Sequence, residues 1–347
     1  MKTEDIIAQQ IDYTPNIFSA DTLLKMDIPE IEWLLYPLIP QKGISLVSAA
    51  RGVGKSYFAM AAAIATASGF NFLGFKADKP RRVLYIDGEM NGKTLQDRMN
   101  QLIAGFEKEG KKVNRDNLFI FGSDFQGDNP MINFYNENDW DVLEQAITKL
   151  GHIDLIIVDN VFTLYECQDE NSAASWQKFN KWSLKQRHKD RSVMWVHHTG
   201  KDIERGGRGS SAIETLLDTS LLLKTPQGHN PKNGAAIIAR YTKSRSVAGK
   251  SVASFAARLI SEQDNDTGKI ISSSWVLQDT PMEETEEKVK PIMDLLYEGK
   301  SVKEISKIID ISPATIYRIL NDAGIKKPDK IAKEAAQEKE TYKEIEI

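Results

Sequence analysis

From Gly43 onward, short unbroken apolar runs alternate with stretches whose apolar residues recur at helical spacing. Residues 44–48, 82–89, 117–122, 153–160 and 192–200 read as buried strands. Residues 55–69, 94–110, 140–151 and 172–189 read as helices, the first Ala-rich and closed by Gly69. Strands that are apolar throughout belong to a parallel sheet covered on both faces. After residue 212 the texture changes. "LLDTSLLLK", "AAIIARYTKSR", "SVASFAARLI" and "KIISSSWVLQ" predict strands joined by turns, extending the sheet with antiparallel strands.

Residues 1–40 form an arm whose "IPEIEWLLYPLIP" offers Trp33, Leu34, Leu35 and Tyr36 to the core, or else to a partner. Residues 41–278 make the α/β core. The acidic stretch 279–287 predicts a linker, and 288–327 a small all-helical unit. In that unit Ser301 and Glu304 have capping-box spacing, and Ser312 with Pro313 opens another helix. Val302, Ile305, Ile308, Ile311, Ile316, Ile319 and Leu320 fit a three-helix core. The highly charged tail, 328–347, predicts a frayed helix or no structure.

Composition narrows the class. A chain of 347 residues has room for about two domains. Its 41% apolar and 27% charged residues are ordinary for a globular protein. The single cysteine, Cys167, excludes a disulfide framework and a cysteine-ligated zinc site, and suits a reducing cytoplasm. No run reaches the ~20 apolar residues of a membrane span, and no membrane partner is expected. With a net charge of −4, any nucleic-acid contact must come from local patches.

The chemistry gathers at strand ends. "AARGVGKS" (49–56) fits a phosphate-binding loop between a buried strand and a helix, apart from Ala49 where the first glycine is usual. The first position shapes the strand-to-loop turn, while the later glycines let backbone N–H groups face phosphates. Ala50, Arg51, Gly52, Val53, Gly54, Lys55, Ser56 and Tyr57 are the candidate nucleotide-binding residues. Lys55 brings a charge to the outer phosphates, and Ser56 a hydroxyl for Mg²⁺. The alternative is a chance Gly-rich turn. "LIIVDN" places Asp159 at a strand end as a second candidate metal ligand. "YIDGEM" offers Glu89, with Asp87 nearby, to position a water, or else is a solvated strand end. In "WVHHTGK" the adjacent His197 and His198 face opposite sides of a strand, which argues against a paired-His metal site. His198 is the candidate γ-phosphate sensor, against a purely structural histidine. The loop beyond it carries Lys201, Arg205 and Arg208 among glycines, suited to a phosphate backbone or to a plain surface connection. In "YTKSRSVAG", Lys243 and Arg245 share a strand face, as a charged edge or as groups reaching a neighbouring subunit's nucleotide.

Taken in order, "ARGVGKS", "YIDGE", "IIVDN", "VHHTGK" and "RGSSA" resemble the RepA-type hexameric replicative helicases of plasmids, within the RecA/DnaB superfamily. The resemblance spans residues 20–275. It implies a RecA-like P-loop ATPase core with a mostly parallel central sheet. It further implies a homo-oligomeric ring, a hexamer, with ATP sites between subunits and single-stranded DNA in the channel. Lys55 and Ser56 would then bind phosphate and Mg²⁺, Asp159 would hold the metal, Glu89 would position water and His198 would sense the γ-phosphate. The arginine acting across the interface would be Arg208 or Arg245; Arg245, with Lys243 beside it, is the favoured choice.

The C-terminal unit resembles the helix-turn-helix of invertases and resolvases, or alternatively is a protein-docking unit. A second helix in the major groove would present Ser312, Ala314, Thr315, Tyr317 and Arg318 to duplex DNA. The expectation is an ATP-hydrolysing helicase of a plasmid or other mobile element. The alternatives are an ATP-gated DNA-binding regulator and a recombination mediator without unwinding activity.

Overall fold

The computed structural model describes residues 17–165, 173–198, 215–226, 229–230, 234–278, 284–322, 325 and 327–335. In chain order, α1 (Ala20–Lys25), β1 (Trp33–Leu35) and β2 (Ile39–Pro40) precede β3 (Ile44–Ala49) and α2 (Lys55–Ser68). β4 (Val83–Asp87), α3 (Gly92–Lys108), β5 (Leu118–Gly122) and α4 (Glu137–Leu150) follow. Next come β6 (Leu155–Asp159), α5 (Val161–Leu164), α6 (Ala173–His188), β7 (Ser192–His198) and β8 (Thr219–Lys224). β9 (Ala236–Ser244), β10 (Phe255–Gln263) and β11 (Ile270–Gln278) complete the sheet; α7 (Glu284–Tyr297), α8 (Val302–Ile308) and α9 (Pro313–Asp322) form the C-terminal unit.

Nine strands form one sheet in the order β11-β10-β9-β8-β3-β7-β6-β4-β5. Neighbours from β8 to β5 pair in parallel. β9, β10 and β11 are joined antiparallel. The predicted mixture is therefore present, with one correction. β8 was expected among the antiparallel strands, but it runs parallel to β3, Ser45 opposite Thr219. From β9 onward each strand runs antiparallel to its neighbour.

Side-chain alternation divides the core in two. Val47, Tyr85, Ile157 and Val196 pack with α2 and α3 on one face. Leu46, Leu84, Ile156 and Trp195 pack with Trp140, Phe179 and Trp182 on the other. Both faces of the central parallel strands are thus buried, which is why residues 83–86, 155–158 and 193–196 are unbroken apolar runs, while β3 and β8 bury Ser45, Ser48, Thr219 and Ser220 among their apolar residues. The Ala-rich α2 is buried from Phe58 to Ala67 against the sheet, and Gly69 closes it in the left-handed region, φ 74°.

The segment before residue 41 packs onto the core, as its apolar run predicts: Leu34 and Leu35, with Leu38 and Ile39, belong to the main core. Upstream of them, α1 buries no residue.

The C-terminal unit has its own core of Ile292, Leu296, Val302, Ile305, Ile316, Ile319 and Leu320. The capping box is present: Ser301 accepts from the Glu304 N–H while the Glu304 side chain reaches back. Three expectations fail here. Ile308 is 54% exposed rather than core. α7 begins at Glu284, inside the stretch assigned to a linker. Residues 328–335 are helical and bury Ala332 in this core, so the start of the charged tail is structured. Ile331 packs beside Ala332 against this core.

Candidate functional site

The carboxyl ends of four parallel strands build the site. Register sets Ala49 opposite His198, Asp159 opposite Val196 and Asp87 opposite Asp159. The alternation that puts Val47, Val196, Ile157 and Tyr85 on the α2 face carries Ala49, His198, Asp159 and Asp87 to that same face.

The phosphate loop leaves β3 at Ala49, which is buried and keeps a negative φ. Alanine therefore fits where the left-handed conformation is not required. The later glycines do require it: Gly52 has φ 80° and Gly54 φ 108°. A Cβ on Gly54 would stand 2.8 Å from that of Ala235. Among the described residues no side chain caps α2, so its first N–H groups are available to an anion. Val53 is buried, while Ala50, Arg51 and Gly52 are exposed. Arg51 lies over the Phe162 ring at 5.5 Å. Tyr57 points away from the loop: its hydroxyl donates to Gln101 and Arg98 covers its ring.

Lys55 is 4% exposed. Its ammonium donates to Ala50 O at 3.3 Å and meets His198 Nδ1 at 2.8 Å. Burial lowers its pKa, while Asp159 and Glu89 act to raise it. Asp159, 2% exposed, accepts from the Tyr85 hydroxyl at 2.6 Å and is hydrogen-bonded by Ser56. Burial holds its carboxyl above the usual range, against the pull of those two bonds and of Lys55. A hydroxyl and a carboxylate beside an uncapped helix end make a hard-oxygen pair, a donor set that fits Mg²⁺ completed by water and phosphate. Among the described residues no group of three or more His, Cys, Asp or Glu side chains gathers as a metal cluster.

Glu89 lies on the turn after β4. Its Oε2 accepts from Asn160 Nδ2 at 2.5 Å and stands 3.3 Å from His198 Nε2. Asp87 holds that turn, its Oδ1 accepting the Glu89 and Met90 N–H groups at 3.2 and 2.7 Å. Its other oxygen is buried and has no partner among the described residues. His197 faces the other side, edge-on to Trp176 at 5.9 Å. Lys55, Ser56, Glu89, Asp159 and His198 thus converge as a group. Tyr85 and Asn160 were missed as site residues. The period of two that links Tyr85 to Asp87 was a usable signal for the first. Nothing local marked Asn160.

Lys243 and Arg245 do not join this group. Both reach the carbonyl of Thr215, at 3.4 and 2.5 Å, and Arg245 Nε also donates to Leu217 O at 2.9 Å. Ser244, Thr219 and Ser45 share one level of the sheet. That level is the end of β3 opposite the loop, a separation on the order of 13 Å along the strand. Within its own chain Arg245 is remote from the phosphate loop. Lys201, Arg205, Arg208 and Cys167 lie outside the described residues.

In the C-terminal unit, Ala314, Tyr317 and Arg318 are exposed on α9, Ser312 is exposed just before it, and Thr315 is half-buried. Ser312 caps the helix through the Thr315 N–H at 3.2 Å. Tyr317 donates its hydroxyl to Asp329 at 2.5 Å.

No helix among the described residues is long and apolar enough to cross a membrane. A family model described as an AAA domain matches residues 13–204, and one described as the helix-turn-helix domain of resolvase matches residues 285–323. No curated protein matches the chain. With over half its length in the first match and a phosphate loop at its centre, the chain belongs to the AAA-domain family of P-loop ATPases, joined to a DNA-binding helix-turn-helix of the resolvase type.

Proposed function

We propose that the protein is an ATP-driven DNA motor, a RepA-like replicative helicase of a plasmid or other mobile element, working as a homo-oligomeric ring, most simply a hexamer. The observation that carries the ATPase part is the buried Lys55 meeting His198, with Glu89 on that histidine's other nitrogen. The motor part rests on the resemblance of the motifs and on the distance of Arg245 from its own chain's phosphate loop.

In this reading the α2 N-terminus and Lys55 hold the β- and γ-phosphates of ATP. Ser56 and Asp159 hold Mg²⁺, which neutralises phosphate charge when bound. Glu89 takes a proton from the water whose oxygen bonds to the γ-phosphorus, while the bond to the β,γ-bridging oxygen breaks and ADP leaves. His198 links Lys55, which holds the γ-phosphate, to Glu89, on which its Nε2–H falls, and so senses that phosphate. Arg245 and Lys243 of one subunit act on the nucleotide of the next. Single-stranded DNA occupies the channel, and the helix-turn-helix docks on duplex, its modest affinity multiplied by oligomerisation.

The test is strand displacement by the full chain with ATP and Mg²⁺. Directional displacement supports the motor. ATP-dependent duplex binding without displacement rejects unwinding and leaves an ATP-gated DNA-binding regulator.

A further inference from the structure

The proposed mechanism gives no role to Asn160. This residue follows Asp159 at the end of β6 and is fully buried. Its side-chain oxygen accepts the Thr163 N–H at 3.2 Å, capping α5. That bond fixes which way the amide faces. Its nitrogen then points at Glu89 Oε2, 2.5 Å away.

Glu89 needs such a hold. It stands on a turn beyond its strand, with 55% of its side chain exposed. A carboxylate so placed has several rotamers within reach. The bonds from Asn160 and His198 both fall on Oε2, so Oε1 takes part in neither. The donor is also the right kind. An amide carries no charge and gives up no proton, so it fixes the carboxylate while depressing its basicity less than a lysine or arginine would. A base that must accept a proton requires that restraint.

We propose that Asn160 is a positioning residue for hydrolysis, its amide holding Glu89 so that Oε1 accepts the proton of the attacking water. The proposal rests on the reading of Glu89 as the base.

Asn160→Ser and Asn160→Asp separate this role from capping. Both replacements keep an oxygen for the Thr163 N–H and are good N-caps. Serine is too short to reach Glu89, and aspartate sets a carboxylate against it. In the full chain, kcat for ATP should fall at least about tenfold in both, the scale of a mispositioned general base. KM for ATP and the affinity for a fluorescent ADP analogue should stay within about twofold. Adding Asn160→Ser to Glu89→Gln should cost nothing more. Wild-type kcat in both variants, provided Glu89→Gln alone is inactive, makes Asn160 only a cap and overturns its role alone. Loss of ADP affinity in step with kcat, or a further tenfold loss in the double variant, also overturns it. Full activity of Glu89→Gln removes the base itself, and both readings fall together.

Discussion

The Lys55 ammonium nitrogen lies 2.8 Å from Nδ1 of His198. An ammonium can only donate, so Nδ1 accepts and the ring proton sits on Nε2. Nε2 faces Glu89 at 3.3 Å. Burial, then the Lys55 charge, hold the imidazole pKa below its usual value, so the ring at neutral pH is a neutral relay between a cation and a carboxylate.

That relay depends on the lysine. Lys55→Ala should lower ATP hydrolysis by about 10²-fold or more, the scale of a lost charge stabiliser at a transition state. The C-terminal unit has a core separate from that of the sheet, so its duplex-DNA affinity without nucleotide should be unchanged. Phosphate release and DNA anisotropy on the same preparation check both. Intact hydrolysis contradicts the assignment.

Two buried groups should bend the pH–stability profile in opposite senses. Burial, aided by Asp159 and Glu89 and opposed by two backbone N–H bonds, raises Asp87 from 3.8 to about 7. The native chain then keeps a proton that the unfolded chain releases, so stability falls as pH rises through that window. Burial, with the neighbouring His198 and Lys55, lowers His197 from 6.5 to about 4. Here the unfolded chain binds the proton first, so stability is lost as pH falls from 6.5 toward about 4. In metal-free, nucleotide-free protein, Asp87→Asn should stabilise most near pH ~8 and least near pH ~4, by a few kcal/mol at most. His197→Phe should flatten the acid-side loss. Urea titrations across pH decide, and parallel profiles for wild type and both variants contradict the burial argument.

Arg245→Ala should abolish turnover while leaving ATP binding near wild type. Mixing it with Glu89→Ala should restore part of the activity, since each variant lacks what the other supplies at a shared interface. Its bonds to the Thr215 and Leu217 carbonyls raise a competing structural role. Loss of thermal stability with no rescue on mixing would establish that role and reject the interface one.

Arg318 is exposed on α9. Arg318→Ala should weaken duplex binding by about 1–3 kcal/mol if it reads a base edge, or reduce the salt slope by about one if it contacts a phosphate. DNA-free ATP turnover should not change. Unaltered affinity and salt slope would remove α9 from the DNA interface.

Much of the fold was legible because burial on both faces writes itself as unbroken apolar runs, as in residues 155–158 and 193–196. β8 was misjudged because it sits where the parallel strands meet the antiparallel ones, and a short run such as "TSLLLK" does not show which way its neighbour runs. Lys55, Ser56 and Asp159 were readable from fixed local spacing. Asn160 was not, because its bond to Glu89 spans 71 positions of sequence and depends on which way one amide is turned. The tail read as a frayed helix or no structure because its composition is highly charged; the docking of Ala332 on the C-terminal core is a long-range contact that composition does not carry.

The central claim is that Glu89 acts on ATP held by Lys55, Ser56 and Asp159. It is tested most directly by measuring ATP binding and single-turnover hydrolysis in Glu89→Gln beside wild type. The account predicts binding within about twofold and hydrolysis slowed by about 10²-fold or more. Hydrolysis at the wild-type rate in a protein that binds ATP normally would contradict it.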